Sequence, residues 1–298
     1  MAWRRTERTD DRYQAMADRV AAEVIAGYST SFTLATRLLS PPVRRDVCNL
    51  YAVVRIADEI VDGAAESAGE DATGIRTRLD TYEDTVLGAA DPTAPAFHTD
   101  PVLHAFAGTA RRCHLDPAHL RAFFASMRAD LDPGVHDDAS LAEYIHGSAE
   151  VIGLMCLDIF RTHGDVTEDP QWLAEGAASL GSAFQKVNFL RDIGADITVL
   201  HRHYLPTASD GTLTEHAKNA LLDECVVELD AGCSRIPALP RGTRAGVAAA
   251  AALYRALVDR LRETPAADLT GADAVRVSVP TRVKTVVTLR AAGKAVLS

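Results

Sequence analysis

Residues 51–62 read Tyr51-Ala-Val-Val-Arg55-Ile-Ala-Asp58-Glu59-Ile-Val-Asp62. At 100° per residue, Tyr51, Arg55, Asp58 and Asp62 fall within an arc of roughly 60° on one face of a helix. Val47, Leu50, Val54, Ala57 and Val61 occupy the flank beside them. The acidic stripe therefore borders the apolar face instead of lying opposite it, where a solvated charge face belongs. A second stretch, Gln185-Lys-Val-Asn188-Phe-Leu-Arg191-Asp192-Ile-Gly-Ala-Asp196, repeats the arrangement. There Gly181, Gln185, Asn188, Asp192 and Asp196 share a stripe beside Ala177, Leu180 and Phe184. One i,i+4 carboxylate pair is common on helices, and its repulsion costs a few tenths of a kcal/mol. Two pairs, each next to the core and each with amide or Arg neighbours, point to a site.

Outward from these stretches, periodicity is helical and convincing strands are absent. Helices are expected at Asp10–Gly27, Pro42–Ala65, Ile75–Gly88, Pro101–Cys113, Pro117–Ala129, Leu141–His163, Pro170–Thr198, His216–Ser234, Thr243–Thr264 and Pro280–Leu297. Pro42, Pro117, Pro170 and Pro280 sit where a first turn tolerates proline. No break between them is long or of low complexity, and no repeat is evident. The expectation is a single all-α domain spanning 1–298, with residues 1–9 as a flexible N-terminus.

Composition limits the function classes. The chain has 31 Lys+Arg against 41 Asp+Glu, a formal charge of −10 that argues against a nucleic-acid partner. A phosphorylated small molecule remains compatible, because metal ions can bridge acidic residues to an anion. Cys48, Cys113, Cys156, Cys225 and Cys233 are scattered and odd in number, with no C-x-x-C pair, and read as reduced, mostly buried thiols. Met1–Asp11 has no apolar core of a signal peptide, and Ala245–Leu257 is short and interrupted by Arg255. A cytoplasmic protein is expected, with room for peripheral contact with a membrane.

Facing carboxylates at the edge of a low-dielectric interior repel unless cations neutralise them. Mg²⁺ takes oxygen ligands, typically one or two carboxylates plus substrate phosphates. Asp58, Asp62, Asp192 and Asp196 are therefore the expected metal ligands, with Mn²⁺ as the alternative ion, and a diphosphate is the expected anion.

At these residues the chain resembles the squalene/phytoene synthase family of head-to-head prenyl transferases. Tyr28-Ser29-Thr30-Ser31-Phe32 followed by Leu38-Leu39 is similar to the family's S-x-S-F segment, and Leu50 through Asp62 to its first aspartate motif. Tyr144, Gly147, Ala149, Gly153 and Met155 resemble its central helix. Leu180 through Asp196, ending at Arg202 and Tyr204-Leu205-Pro206, resembles its second motif. Tyr254, Arg276-Val277-Ser278 and Lys284 resemble its C-terminal elements. Ala195, His146, Glu150 and Thr30 depart from the family pattern, which bears on metal and phosphate contact and on cavity shape.

The resemblance implies an isoprenoid-synthase-type helical bundle with a central cavity. It implies condensation of two allylic prenyl diphosphates through a cyclopropyl diphosphate, in first place two geranylgeranyl diphosphates giving phytoene for carotenoid biosynthesis. Dehydrosqualene, hydroxysqualene or squalene from farnesyl diphosphate is the alternative, and a non-catalytic assembly factor a more distant one. Tyr51 and Arg55 join the four aspartates as implied catalytic residues. Tyr28, Ser29, Ser31, Phe32, Gln185, Asn188, Arg191, Tyr254, Arg276 and Lys284 are the implied diphosphate and cavity residues. The cations among them act either as ion-pair partners of the aspartates or as diphosphate contacts. NADPH is not expected to be required. The apolar product leaves room for a transient membrane encounter, and downstream carotenoid enzymes are conceivable partners. His146 is read as a cavity residue or a hydrogen-bonded core histidine. His201 and His203 are read as a surface loop, and Asp130 and Asp132 as capping or supporting residues.

Overall fold

The computed structural model describes residues 9–132, 134, 136–200, 202–205, 213–270 and 274–297. Among them there are helices and connections but no β-strand. The chain runs through α1 (Thr9–Tyr28), α2 (Thr30–Thr36), α3 (Pro41–Val61), α4 (Ala64–Ser67), α5 (Ala72–Ala90), α6 (Pro101–Arg112) and α7 (Pro117–Ala129). It continues with α8 (Asp138–Ile145), a π-helical turn (His146–Glu150), α9 (Val151–Thr162), α10 (Pro170–Thr198), α11 (Glu215–Cys233), α12 (Arg241–Glu263), α13 (Ala266–Thr270) and α14 (Thr281–Leu297). The fold class expected from periodicity is the one found. The flexible N-terminus expected over residues 1–9 lies outside the described residues, apart from Thr9, which opens α1.

Local chemistry explains the sharp helix starts. Asp100, Asp116 and Asp169 each precede a proline, and each carboxylate accepts from a backbone N–H of the first turn. The proline at the first position has no N–H to leave unpaired, so cap and ring act together. Asp71 and Thr214 cap α5 and α11 in the same manner.

Two apolar clusters hold the bundle together. One joins α1, α3, α5, α6, α7 and α9 around Phe106, Phe123 and Phe124. The other joins α10, α11 and α12 around Leu190, Leu222 and Leu261. The central helix and α10 meet at backbone contact: a Cβ on Gly181 would lie 2.5 Å from the Ala149 carbonyl oxygen, and one on Gly153 would collide with the carbonyl of Ala177. Glycine at both positions lets the second aspartate helix pack directly on the helix that carries the π turn.

The N-terminal half contains a buried charge hub. Asp46 is 0 % exposed, and its carboxylate accepts from Thr109 (3.0 Å), Arg45 (3.0 Å), Arg112 and His163 (2.6 Å). These bonds and charges outweigh the opposing effect of burial and hold the Asp46 carboxyl below its usual range. The hub ties α3 to α6 and to the end of α9.

Three features differ from the sequence expectation. Tyr28–Phe32, read as a segment without helix, forms the end of α1 and the start of α2, with Ser29 capping α2 through Phe32 N–H. Pro42–Ala65 ends at Val61, with α4 as a separate turn. Leu141–His163 is interrupted by the π-helical turn at His146–Glu150, which widens the backbone locally. His146 on that turn is exposed, with Nδ1 2.9 Å from Glu150 Oε2, so it is neither a cavity residue nor a core histidine.

Candidate active site

A cavity of about 610 Å³ opens between the two apolar clusters. The two acidic stripes, distant in sequence, face it from α3 and α10. Tyr51, Arg55 and Asp58 line it from α3, and Gln185, Asn188, Arg191 and Asp192 from α10. Tyr28, Ser29, Ser31 and Phe32 contribute from the α1–α2 junction, Tyr254 from α12, and Arg276 and Lys284 from the chain around the start of α14. Asp62 and Asp196 do not line the wall. Asp196 lines a small separate pocket with Arg202, and Arg202 donates to Asp62 Oδ1 at 2.8 Å and to the Val61 carbonyl at 2.8 Å.

The two sides of the mouth are charged differently. Burial, reinforced by the charge of Asp62, pushes the Asp58 carboxyl up to about 8, although Arg55 opposes this. Burial and then the charge of Asp192 push Asp196 up to about 7. Asp192 behaves oppositely: burial opposes its ionisation, but hydrogen bonds and charge from Arg191 (Nε at 3.0 Å) and Arg276 (Nε at 2.7 Å) hold it below its usual range. Lys284, which donates to Thr30 Oγ1 at 2.9 Å, is lowered by burial and by the neighbouring charges of Arg191 and Arg276. Three cations thus crowd one side of the mouth. On the other side Arg55 reaches Glu59 and Asp58, lies 4.4 Å over the Tyr28 ring, and keeps a buried Nε without a hydrogen-bond partner. Crowded cations and an unspent guanidinium N–H are suited by their chemistry to an anion with several oxygens.

The aspartates offer hard oxygen donors, and around Asp58, Asp62 and Asp196 the carboxylates outnumber Arg55 and Arg202, which suits Mg²⁺ or Mn²⁺. They are spread along the mouth. Among the described residues, the group of three ligand-type side chains with donor atoms within 4.8 Å of one another is elsewhere, at Asp46, Cys113 and His163. There two guanidinium groups already neutralise Asp46, so a cation is disfavoured. The sequence has no histidine cluster of metal-ligand spacing beside Cys113; folding brings it beside His163 through Asp46.

Residues 25–209 match the family model described as squalene/phytoene synthase. The chain belongs to the squalene/phytoene synthase family. It is similar to the phytoene synthase of Mycobacterium tuberculosis, with 28% identity over 272 residues covering 84% of this chain and 83% of the relative. It is 31% identical over 194 residues to the 15-cis-phytoene synthase of a Paracoccus species, covering 64% of this chain and 61% of that one. Among solved structures it superposes on a dehydrosqualene synthase in complex with ligand, with a TM-score of 0.76, 20% identity, and coverage of 96% of this chain and 98% of the other. The squalene synthase HpnC from Alicyclobacillus acidocaldarius superposes with a TM-score of 0.69 at 19% identity, covering 84% and 94%. As a member of the squalene/phytoene synthase family, the chain is a prenyltransferase of the head-to-head condensing class.

In this squalene/phytoene synthase chain, the cavity below the mouth is aromatic, then aliphatic. Phe184 stacks on Tyr254 with ring centroids 3.9 Å apart, and Phe32 lies within 6.0–6.4 Å of Tyr254, Tyr51 and Phe184. Tyr254 donates to Asn188 Oδ1 at 3.2 Å. Behind the rim is a network that the sequence left undefined. Tyr144 and Tyr204 donate to Asp130 at 2.9 and 2.8 Å, and the Arg202 guanidinium lies 3.9 Å from it. Burial pushes Asp130 up to about 6 against these partners. Tyr144, Arg202 and Tyr204 belong to quoted motifs, yet their convergence on Asp130 spans up to 74 residues and has no local signal. His203 lines a small pocket with Asp196, Arg202 and Tyr204 and is not a free surface residue, whereas His201 lies outside the described residues.

Proposed function

We propose that the cavity joins two C20 allylic diphosphates head to head to give phytoene, with carbocations forming between the charged mouth and the aromatic wall. The observation that carries this reading is a single cavity with excess carboxylate on one rim, three crowded cations on the other and a carbon-lined interior. Asp58, Asp62, Asp192 and Asp196 would hold divalent ions, which when bound supply Lewis-acid stabilisation of a departing diphosphate.

Arg191, Arg276, Lys284 and Arg55 bind and orient the diphosphate oxygens, with the hydroxyls of Ser29 and Ser31 nearby. When the C1–O bond of one substrate breaks, these donors carry the negative charge that leaves. The allylic cation is attacked by the C2–C3 double bond of the second substrate, and loss of one proton closes a cyclopropyl diphosphate. Loss of the second diphosphate, rearrangement and loss of another proton give the C40 hydrocarbon, so no reductant enters the balance. Phe32, Phe184, Tyr51 and Tyr254 present ring faces to the cations and exclude water.

Chain length is supported by the lining. Ala35, Thr36, Ala177 and Ala250 line the cavity, and their small side chains leave room for a long chain. The relatives named phytoene synthase agree with a C20 substrate. Incubation with Mg²⁺ and C15 or C20 diphosphates, with and without NADPH, followed by identification of the hydrocarbon, tests this. Phytoene formed without NADPH is expected. A C30 product as the preferred outcome would shift the assignment to the farnesyl diphosphate-using class, and absence of any hydrocarbon would favour a non-catalytic member.

A further inference from the structure

In a chain of net charge −10, residues 274–298 carry Arg276, Arg282, Lys284, Arg290 and Lys294 and no Asp or Glu. Most of this stretch is α14. Its inner edge, including the buried Thr288 and Ala292, packs on α12. At 100° per residue, Leu289, Arg282, Val286, Arg290, Val283 and Lys294 cover an arc of about 140° on the other side. All six are exposed; Val283, Val286 and Leu289 are 43%, 48% and 61% exposed. Arg282, Arg290 and Lys294 enter no ion pair among the described residues, unlike Arg276 on Asp192. An aliphatic stripe interleaved with uncompensated cations is therefore presented outward.

The helix that carries the stripe starts at the cavity mouth. Lys284 and Val279, at the start of the helix, line the cavity, and Lys284 is bonded to Thr30 beside the mouth. Tyr28, 54% exposed, also lines the cavity.

We propose that the outer face of α14 docks on an anionic lipid surface. Val283, Val286 and Leu289 enter the boundary between headgroups and acyl chains, while Arg282, Arg290 and Lys294 meet lipid phosphates. Charge complementarity selects this occupant. The face has no acid to attract a basic partner and no aromatic anchor of the sort that dominates protein interfaces. Three aliphatic side chains bury little area, so binding is reversible and depends on charge. The docking surface stands on α14 alone. Its use in passing an apolar product from the mouth into a bilayer rests on the proposed function.

Vesicle flotation tests the surface without substrate or turnover, so its failure is distinguishable from failure of the enzymatic reading. The full chain is mixed with vesicles of phosphatidylcholine, or of phosphatidylcholine with phosphatidylglycerol. Flotation with the anionic vesicles and not with the neutral ones is expected. Salt raised from about 0.1 M to about 1 M, which shortens the screening length from about 10 Å to about 3 Å, releases the protein. R290E/K294E weakens partition by about twenty-fivefold or more, since each basic residue near such a surface is worth roughly fivefold. V286S/L289S weakens it while leaving the melting temperature in place. Wild-type protein that does not float, or variants that float equally, would overturn the proposal. So would sedimentation showing an α14-dependent dimer that ignores vesicles, since a second copy would then cover the face.

Discussion

Arg276 separates a surface ion pair from a substrate contact. Its Nε lies 2.7 Å from Asp192 Oδ1, and its side chain is 68% exposed. As a stabilising pair it is worth little, because exposed pairs contribute about 0.2–1 kcal/mol. Arg276→Gln should therefore leave the melting temperature within about 3 °C of wild type. Asp192 also keeps its bonds to Arg191, so its carboxyl stays ionised at neutral pH and the pH profile should not move. Catalysis is another matter. A charge-assisted hydrogen bond to a diphosphate oxygen is worth about 1.5–3 kcal/mol, so kcat/KM should fall about ten- to a hundredfold. Arg276→Lys should recover part of that loss by restoring a point charge without the fork. The assay is thermal melting beside steady-state release of diphosphate. Unchanged kcat/KM with unchanged melting would show that Arg276 does no more than pair with Asp192, and the receptor described for the mouth would lose a member.

Three further outcomes follow from the same geometry. Gly181→Ala drives a methyl group into the Ala149 carbonyl and should cost about 1–3 kcal/mol, read by denaturant unfolding. Asp46→Asn should cost about 3–5 kcal/mol because it breaks a buried charge network. Since the Asp46 carboxyl is held low, that stabilisation is complete above the unfolded pKa of about 3.9 and vanishes as pH falls through the folded one. Asp58 and Asp196 are raised to about 8 and about 7, so the metal-free protein binds more protons folded than unfolded and loses stability as pH rises through this window. Divalent ions reverse that loss, so the gain in melting temperature on adding Mg²⁺ should be larger at the alkaline end of the window than at the acidic end.

Much of this architecture was legible because helical spacing is local information. The limits expected for α10 are those observed, since Asp169-Pro170 marks its start chemically and its apolar stripe runs unbroken. Segment α2 was missed because Ser29-Thr30-Ser31-Phe32-Thr33 is rich in residues that disfavour helices, and its helix is set by the Ser29 cap and by packing on α12. The π turn was hidden for another reason, as five residues between two α-helical segments are too few to register in the apolar periodicity. At the site, each stripe was legible within its own helix, but which carboxylates face the cavity was not. Asp58 and Asp192 line the wall while Asp62 is bonded to Arg202, a contact across 140 residues. The Asp130 and Asp46 networks are of the same kind, built from partners that only the fold brings together.

The central claim is that two helix stripes and the opposing cations act together on prenyl diphosphate at one cavity mouth. Its most direct test is the rate at which inorganic diphosphate leaves geranylgeranyl diphosphate, measured for wild type, Asp58→Asn and Asp192→Asn at equal helical content. Mg²⁺-dependent release by wild type, abolished by either substitution and by chelation, is predicted. Release that persists in both variants, or none from the wild type with Mg²⁺ present, would contradict the account.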